Sequence, residues 1–304
     1  MRILDLKTMQ ECEINESTVV ALGTFDGCHL GHMSVFRSAC LIAKKLKAKT
    51  VAYTFDTIPK SNISNAKSIL TLDEKISLIR KNEIDYIAID EFASVKNMDG
   101  ADFVNSVLKN KLNAIGAVCG YNYRFGKNVG YSGEDLPRFF ENSGECVNIC
   151  PKISLNDIPV SSTLIREKIQ NGDVEDILSL CPPYSVYAQV IEGKKLGRTI
   201  GIPTVNQLIP KEKITPKRGV YITECQIGND MYPSVTNVGT RPTVENDGKE
   251  NMETYIIGYN GDLYFSYVRV NFYRRLRDEI KFSSLEELKK QINSDIEKAK
   301  EYFK

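Results

Sequence analysis

The sequence predicts two domains of different fold class, α/β followed by all-β, and three observations lead to this prediction. The chain has 304 residues, more than one domain usually contains. Apolar runs alternate with amphipathic helical patterns in the first part of the chain, as in α/β domains. Beyond Pro182-Pro183, which would end a helix, the apolar period changes to two. We therefore expect domains at residues 1–182 and 183–304.

The expected N-terminal domain is a Rossmann-like, doubly wound α/β fold. The apolar run Thr18–Leu22, a helical pattern at residues 33–46 and the β-rich run Thr50–Phe55 predict a βαβ unit. Thr71-Leu72-Asp73-Glu74 has the pattern of a capping box and predicts the start of another helix. Further elements are expected as a helix around residues 103–108 and strands at residues 86–89, 114–119 and 146–149. Ligands of such sheets bind outside the carboxyl ends of the strands.

The expected C-terminal domain is a small closed barrel of six β-strands, followed by a terminal helix. Alternating apolar positions predict strands around residues 186–190, 220–222, 235–237 and 253–257. Asn260-Gly261 predicts a tight hairpin between two long strands. Ser283 or Ser284 would cap the last helix, and we interpret its stripe of leucine and isoleucine as core packing.

The composition is that of an ordinary globular protein, with 42% hydrophobic and 26% charged residues. A formal net charge of +1 disfavours binding to nucleic acid or to a membrane surface, which leaves small molecules as the expected partners. The eight cysteines lack the spacing of a disulfide framework, and the N-terminus lacks an apolar signal segment. We therefore expect reduced thiols and a cytoplasmic location.

The turn after the first long strand reads G-T-F-D-G-C-H-L-G-H and is a candidate phosphate site. Gly23, Gly27 and Gly31 allow backbone amides to approach an anion at a helix N-terminus, where the helix dipole favours negative charge. His29 and His32 are the two histidines of the chain. They stand three residues apart, so both imidazoles could reach one phosphoryl group.

Other interpretations of this turn are weaker. No Lys-Ser or Lys-Thr follows the last glycine, so the turn is not a P-loop, and the glycine spacing is not that of a dinucleotide-binding fold. A zinc site would need a third or fourth ligand, and the eight cysteines contain no C-x-x-C. A plain turn with incidental histidines is the remaining alternative.

Two further loops are expected at the same edge of the sheet. The segment Gly120–Lys127, G-Y-N-Y-R-F-G-K, combines aromatic faces with an arginine and suits an adenine or isoalloxazine ring with its phosphate. A surface loop with exposed aromatic residues is the alternative. Ser161, Ser162 and Thr163 open a short helix and, with Arg166, provide hydroxyl, amide and guanidinium donors for phosphate oxygens. One of the serines could be a plain N-cap.

In the second half, the long loop Gly193–Asn206 is rich in Gly, Lys and Arg and ends in Pro-Thr-Val-Asn. Phosphoryl transfer needs mainly positioning and charge neutralisation, which glycine amides around phosphate and neutral oxygens around Mg²⁺ can provide. Thr204 and Asn206 share one face of an extended segment and can supply such oxygens. A plain turn is the alternative. Nucleic-acid binding is disfavoured because the surrounding charge is balanced and no aromatic residues cluster with the loop.

The motifs of the first half resemble those of the bacterial bifunctional riboflavin kinase/FMN adenylyltransferase family. That family carries G-x-F-D-G-x-H-x-G-H, G-x-[DN]-[FY]-R-F-G and I-S-S-T-x-I-R in this order. The resemblance implies adenylylation of FMN by ATP, with catalytic roles for His29, His32 and Arg166. It also implies nucleotide or flavin contacts from Gly23, Phe25, Asp26, Gly31, Asn122, Arg124, Phe125, Gly126, Ser161, Ser162 and Thr163.

The second half resembles the same family at its flavokinase signature G-x-x-x-G-x-P-T-A-N, at N-x-G-x-R-P-T followed by Glu, and at [IL]-R-x-E-x-x-F. The resemblance implies phosphorylation of riboflavin by ATP, with Glu253 as the general base toward the 5′-hydroxyl. Thr204 and Asn206 would then bind Mg²⁺. Substrate contacts are implied for Gly193, Lys195, Gly197, Arg198, Arg277 and Glu279. The substrates and products would be ATP, riboflavin, FMN and FAD.

One segment departs from the family pattern. Relatives commonly follow the second strand with T-F-[DE]-P-H-P, whereas this chain continues from Thr54-Phe55-Asp56 with Thr57-Ile58-Pro59. The departure would remove a contact on the ATP side. A riboflavin kinase with a degenerate adenylyltransferase domain is therefore one alternative function. A flavin-binding regulatory or RNA-binding protein that keeps the folds without turnover is the other.

Overall fold

The computed structural model describes residues 1–57, 67–193, 197, 201–240 and 250–304. These residues form two compact units, Met1–Ser162 and Thr163–Lys304. The first unit is α/β and contains a parallel sheet, and the second contains a closed β-barrel and a terminal helix. Both fold classes that the sequence predicts are therefore confirmed.

The second unit begins before residue 182, where the sequence pattern changes. Backbone and side-chain bonds join the segment that follows Thr163 to the barrel. The Lys217 amide donates to the Ile169 carbonyl at 3.3 Å, and Arg274 forms an ion pair with Glu175. Such contacts depend on the folded arrangement, whereas the pattern change records only where strand periodicity starts.

The first unit is built on one parallel sheet, with short antiparallel pairs beside it. Its strands are β1 (Arg2–Asp5), β2 (Thr18–Leu22), β3 (Lys49–Phe55), β4 (Tyr86–Asp90), β5 (Ala114–Gly120), β6 (Arg124–Phe125), β7 (Tyr131–Ser132), β8 (Val147–Cys150), β9 (Ser154–Leu155) and β10 (Ile158–Pro159). The parallel sheet has the order β1-β4-β3-β2-β5-β8. The five strands expected from the sequence all belong to it.

Strand β1 is the member of this sheet that the sequence analysis did not predict. It has four residues, of which one, Leu4, is buried, so its own pattern carries little signal. It pairs in parallel with β4, with Ile3 opposite Ile87, at the edge of the sheet. The strand is recognisable through this pairing rather than through its composition.

Helices lie between the strands of the first unit, as the alternating pattern predicts. They are α1 (Leu30–Leu46), α2 (Leu72–Ile79), α3 (Phe92–Val95), α4 (Gly100–Asp102) and α5 (Ser143–Cys146), and α6 (Ser162–Asn171) follows at the start of the second unit. A π-helical segment, Phe103–Lys111, continues α4, and its bonds span five residues, as from the Leu112 amide to the Val107 carbonyl at 3.2 Å. The capping box of α2 is confirmed, because Thr71 and Glu74 exchange backbone-to-side-chain bonds at 2.9 and 3.3 Å.

The second unit is a closed barrel of six strands, as expected. They are β11 (Ser185–Ile191), β12 (Val205–Leu208), β13 (Gly219–Ile227), β14 (Asp230–Thr240), β15 (Glu250–Ile256) and β16 (Tyr267–Arg277), in the order β11-β12-β15-β14-β13-β16. Part of the interior is polar. The Thr223 hydroxyl lies 2.8 Å from those of Ser234 and Thr236, and Thr236 lies 2.9 Å from Thr254. These buried hydroxyls satisfy one another.

The prediction of a tight hairpin at Asn260-Gly261 was wrong. Strand β15 ends at Ile256 and β16 begins at Tyr267, and the two strands are not neighbours. Strand β15 pairs with β12 and β14, whereas β16 pairs with β11 and β13. Asn-Gly is a local signal for a turn, but barrel closure decides which strands pair. The connection at residues 257–266 is therefore a longer loop.

The terminal helix α7 (Leu285–Tyr302) packs on the outside of the barrel. It begins after Ser284, whose hydroxyl accepts a bond from the Glu287 amide at 3.2 Å. Ile296 and Ala299 of its apolar stripe join a core cluster with residues of β13 and β14, as expected. Among the residues that the structure describes, no helix is both long and apolar enough to cross a membrane.

An ion pair attaches α7 to β16. Nε and Nη2 of Arg277 donate to Asp295 Oδ2 at 2.9 and 2.8 Å. Gln291 donates to the other carboxylate oxygen at 3.0 Å, and Asp295 is 1% exposed. Because a buried carboxylate needs such partners, the pair holds the helix on the barrel.

We expect Asp295→Ala to lower the free energy of unfolding by about 3 kcal/mol, because it leaves the Arg277 guanidinium without its partner. Denaturant unfolding of the variant and the parent measures this change. Glu297→Ala on the same helix is the matched control. Glu297 forms an exposed pair with Lys300, which contributes about 0.5 kcal/mol at most. Equal effects of the two substitutions would contradict the anchoring role of Asp295.

Candidate functional site

The three candidate loops of the first unit follow neighbouring strands. Strands β2, β5 and β8 are adjacent and parallel, so their carboxyl ends share one edge of the sheet. The loop after β8 passes through the β9–β10 hairpin before it reaches Ser161 and Ser162. The Ser162 hydroxyl then donates to the Asp26 carbonyl at 2.7 Å. The fold thus joins the first and third loops directly.

The turn between β2 and α1 has an unusual backbone. Phe25, Gly27 and Cys28 have positive φ angles of 49°, 90° and 43°. Positive φ is costly for residues with a side chain, so surrounding contacts must hold this conformation. At Gly23 a Cβ would come too close to the Phe25 ring, which explains a glycine there. At Gly31 a Cβ would crowd the imidazole of His29.

The two histidines lie together at the start of α1. Their ring centroids are 3.7 Å apart, and the planes differ by 18°, so the rings are stacked. His29 is the N-cap, and its Nδ1 accepts a bond from the His32 amide at 3.4 Å. The edge-on ring of Phe25 lies 5.4 Å from the ring of His32. Both imidazoles therefore stand at a helix N-terminus, as the spacing predicts.

The structure indicates a neutral His32. Burial lowers the pKa of His32 well below its usual value, and the positive charges of His29 and Lys75 lower it further. Its Nδ1 atom is buried and has no hydrogen-bond partner within the described part of the chain. A neutral imidazole donates through one nitrogen only. Without a ligand, the imidazole of His32 therefore favours its neutral form at neutral pH.

Two predicted ligand contacts of this turn have internal partners. The carboxylate of Asp26 is 1% exposed and accepts bonds from the amides of Ile69 and Leu70 at 2.9 and 3.0 Å. Phe25 is fully buried and packs against Phe36 with a centroid distance of 4.4 Å. These contacts give both side chains a role in shaping the turn. Their contact with a ligand stays a prediction.

The residues of the second loop, Gly120–Lys127, differ in their exposure to solvent. Asn122 and Arg124 are exposed, so both can reach a ligand. Phe125 is 6% exposed, and its ring lies 5.3 Å from that of Tyr131 within the core. Gly126 has a φ of 75°, which favours glycine. Phe125 and Gly126 therefore support the loop, and their contact with a ligand stays a prediction.

The third loop places its donors at the start of a helix. Ser161 precedes α6, Ser162 and Thr163 are its first two residues, and Arg166 follows one turn later. Thr163 is exposed, and Ser161, Ser162 and Arg166 are partly exposed. Amides, hydroxyls and a guanidinium at a helix N-terminus suit phosphate oxygens.

In the barrel, strand register brings the candidate kinase residues together. Asn206 of β12 and Asn237 of β14 both lie opposite Glu253 of β15, so the three form one row across three strands. The strand neighbours Gln207 and Thr254 are fully buried in the barrel, so the row lies on the outer face. Glu253 is exposed, and Asn206 is 8% exposed.

Gly193 adjoins this row, and a pocket lies beside Thr204. A Cβ at Gly193 would overlap the side-chain amide of Asn206, so glycine permits their close approach. The Ile202 amide donates to the Gly197 carbonyl at 2.8 Å. Thr204 lines a pocket of about 480 Å³ between β12, β15 and residues 259–264. Lys195 and Arg198 lie outside the described residues.

The predicted contacts near the end of β16 have different surroundings. Arg277 is held by Asp295, as described above. Glu279 is exposed and accepts a bond from Asn237 Nδ2 at 3.1 Å.

The sequence analysis gave no individual role to Asn237 and did not identify Asn251, whose Nδ2 lies 3.5 Å from Glu253 Oε1. Register across the strands, which a linear motif does not contain, would have been needed to find them.

Two family models match separate parts of the chain. The model described as FAD synthetase matches residues 11–164, and the model described as riboflavin kinase matches residues 180–303. The first contains the histidine turn, the loop Gly120–Lys127 and Ser161, Ser162 and Thr163, and it ends before Arg166. The second contains the row of Asn206, Glu253 and Asn237.

Similar proteins cover the chain almost completely. The bifunctional riboflavin kinase/FMN adenylyltransferase of Bacillus subtilis is 31% identical, covering 96% of this chain and 94% of its own length. The enzyme of the same description from Listeria monocytogenes is 30% identical, covering 98% and 96%. A crystal structure described as a macrolide-efflux protein from Streptococcus pneumoniae has a TM-score of 0.87 at 29% identity and covers 98% of both chains. This last likeness shows that the fold is shared over the whole chain.

The lowered pKa of His32 leads to a testable prediction. We expect its ring signal to stay unchanged between about pH 8 and about pH 6, where an ordinary imidazole with a pKa of about 6.5 titrates. NMR of protein labelled with ¹³C-histidine measures this directly, because the chain has 2 histidines. His32→Gln assigns the signal by removing it. A His32 signal that titrates near pH 6.5 would contradict the neutral state.

Proposed function

This chain belongs to the family of bifunctional riboflavin kinase/FMN adenylyltransferases, and we propose that the two sites described above carry out its two reactions. The enzyme phosphorylates riboflavin with ATP to FMN, and it adenylylates FMN with ATP to FAD and pyrophosphate. The assignment of each reaction to its site rests on one observation. The stacked histidines lie within the residues matched to FAD synthetase, and the row around Glu253 lies within those matched to riboflavin kinase.

In adenylyl transfer, a phosphate oxygen of FMN attacks the α-phosphorus of ATP, and pyrophosphate leaves. Negative charge develops on the phosphoryl oxygens and on the leaving group, so donors aimed at these positions stabilise the transition state. His29 and His32 supply such donors together with the amides at the start of α1. Arg166 supplies the positive charge.

The remaining loop residues bind and orient the nucleotides. Ser161 and Thr163 direct hydroxyls to ATP phosphates, and Ser162 contributes its backbone amide, because its hydroxyl donates to the Asp26 carbonyl. Asn122 and Arg124 are exposed at the same sheet edge and suit the flavin or adenine with its phosphate. Holding both reactants in line converts an encounter of two molecules into a step within one complex, which supplies much of the rate.

In the kinase reaction, the 5′-hydroxyl oxygen of riboflavin attacks the γ-phosphorus of ATP, and ADP leaves. Glu253 accepts the hydroxyl proton as general base. Its exposed carboxylate and its place beside Asn206 in the strand register support this role. Asn251 restrains the carboxylate from one side, with Nδ2 3.5 Å from Oε1.

Thr204 and Asn206 fit the Mg²⁺ that accompanies ATP. Magnesium prefers oxygen ligands and is commonly held by a few protein groups together with substrate phosphates. Asn206 presents a largely buried amide next to Gly193, and Thr204 precedes it by two residues on the same side of the strand. Bound there, the ion would neutralise charge on the ATP phosphates. The protein side chains would hold and orient it.

The segment that departs from the family pattern is compatible with adenylyl transfer. The amide and the hydroxyl of Thr57 donate to Asp56 Oδ1 at 2.6 and 3.1 Å. Ile58 lies outside the described residues. Amides of the histidine turn and hydroxyls of Ser161 and Thr163 bind phosphates without the Pro-His of relatives, so both activities are expected.

The family implies ATP, riboflavin and FMN as small-molecule substrates of this enzyme. A cytoplasmic location is part of the proposal. The spacing of the eight cysteines, which is not that of a disulfide framework, supports a reducing compartment. The absence of a nucleic-acid partner stays a prediction from the balanced charge.

We expect Glu253→Gln to lower the rate of FMN formation at least about a hundredfold, because an amide cannot accept the hydroxyl proton. Purified protein with riboflavin, ATP and Mg²⁺ and chromatographic separation of products gives the rate. FAD formation from supplied FMN is the internal control and should keep the parent rate. Undiminished FMN output would remove Glu253 from the mechanism.

The complementary substitution is His32→Ala. Loss of one donor to the developing charge should lower FAD formation from FMN by roughly a hundredfold. Riboflavin phosphorylation by the same preparation should be unaffected, which verifies folding of the other domain. Parent-rate FAD formation by the variant would show that His32 takes no part. A parent protein that makes FMN without FAD would favour the kinase-only alternative.

A further inference from the structure

A buried lysine outside every motif lies close to the adenylyl-transfer site. Lys75 belongs to α2 and is 5% exposed. Its ammonium donates to the Phe55 carbonyl at 2.9 Å and to the Thr54 hydroxyl at 3.3 Å. Lysine is rarely buried to this degree without partners that compensate for its lost hydration. The position therefore calls for an explanation.

Hydrogen bonds connect Lys75 to the turn that contains the histidines. The Thr54 hydroxyl is fully buried and donates its own hydrogen to the Thr24 carbonyl at 2.9 Å. Thr24 immediately precedes Phe25, the first residue of the turn with a positive φ. An ammonium, a hydroxyl and a carbonyl thus form a directed chain of hydrogen bonds from α2 to this turn.

Helix α2 itself has other attachments. Thr71 and Glu74 close its capping box, and the Asp26 carboxylate holds the amides of Ile69 and Leu70 just before it. Buried ion pairs can often be replaced by apolar side chains without loss of stability, so a helix does not in itself require a buried charge. The ammonium of Lys75 is therefore better explained by what it does to the turn than by the needs of the helix.

The charges around Lys75 also place it near the site. Burial lowers the pKa of Lys75, and the charges of Asp26, Cys28 and Asp56 oppose that effect. Two of these residues belong to the histidine turn. The positive charge of Lys75 is in turn one cause of the lowered pKa of His32. The lysine is thus electrostatically coupled to both the turn and an imidazole.

We propose that Lys75 is a positioning residue for adenylyl transfer, which holds the histidine turn through the hydroxyl of Thr54. The inference rests on the proposed role of the turn in FAD formation. Lys75 contacts no substrate in this scheme. It restrains the Thr24 carbonyl, and so keeps His29 and His32 aligned with the phosphates.

Steady-state FAD formation from FMN and ATP by the full chain tests the proposal. Thr54→Val removes the hydroxyl at nearly constant shape, and Thr54→Ser keeps the hydroxyl at altered shape. Lys75→Met removes the ammonium, and the exposed Lys81→Met is its matched control. Riboflavin phosphorylation and thermal unfolding of each variant report on folding.

We expect Lys75→Met and Thr54→Val each to lower kcat about tenfold, with KM values within about twofold of the parent, because misplaced donors weaken the transition state. Thr54→Ser and Lys81→Met should keep a kcat close to that of the parent. The double variant should be no slower than the slower single variant, because both changes interrupt one chain of bonds.

Several results would overturn the proposal. They are a parent-like kcat for Lys75→Met or for Thr54→Val, a larger loss in Thr54→Ser than in Thr54→Val, and rate losses that multiply in the double variant. If Lys75→Met does not fold, the comparison of Thr54→Val with Thr54→Ser decides alone. A parent protein that forms no FAD would instead refute the proposed function.

Discussion

The backbone of the turn after β2 is held from three directions, and the N-terminal site depends on this restraint. Thr54 donates to the carbonyl of Thr24, Ser162 donates to the carbonyl of Asp26, and the Asp26 carboxylate binds the amides before α2. Positive φ at Phe25 and Cys28 costs of the order of 1 kcal/mol or more each. The three attachments offset this cost, and the strained turn places both imidazoles at the start of α1.

The barrel site depends on strand register. Asn206, Glu253 and Asn237 face the same side because they lie opposite one another on neighbouring strands. A shift of one residue would turn them into the interior, where the hydroxyls of Thr236 and Thr254 now bond to each other. The buried hydroxyl network favours the observed register, since each of its members needs a partner. Packing inside the barrel thus sets the chemistry outside it.

Much of the fold was predictable because its signals are local. Alternating strands and helices, the Thr71 capping box and the terminal helix follow from short patterns, and the structure confirms them. Strand β1 was missed because it is short and recognisable only by pairing with β4. The hairpin at Asn260-Gly261 was wrong because barrel closure separates β15 from β16. Both errors concern which strands pair with each other, and a local sequence pattern does not contain that information.

The sequence by itself determined the two fold classes, the family, and the residue types at each site, because spacing and composition contain this information. The tertiary structure decided how those residues are used. It shows that the carboxylate of Asp26 and the ring of Phe125 have internal partners and that Asn237 and Asn251 adjoin the carboxylates of the barrel. It also shows that the Thr54 hydroxyl links Lys75 to the histidine turn. Linear spacing cannot distinguish a side chain that contacts a substrate from one that supports it. That distinction depends on burial and on partners far away in the chain.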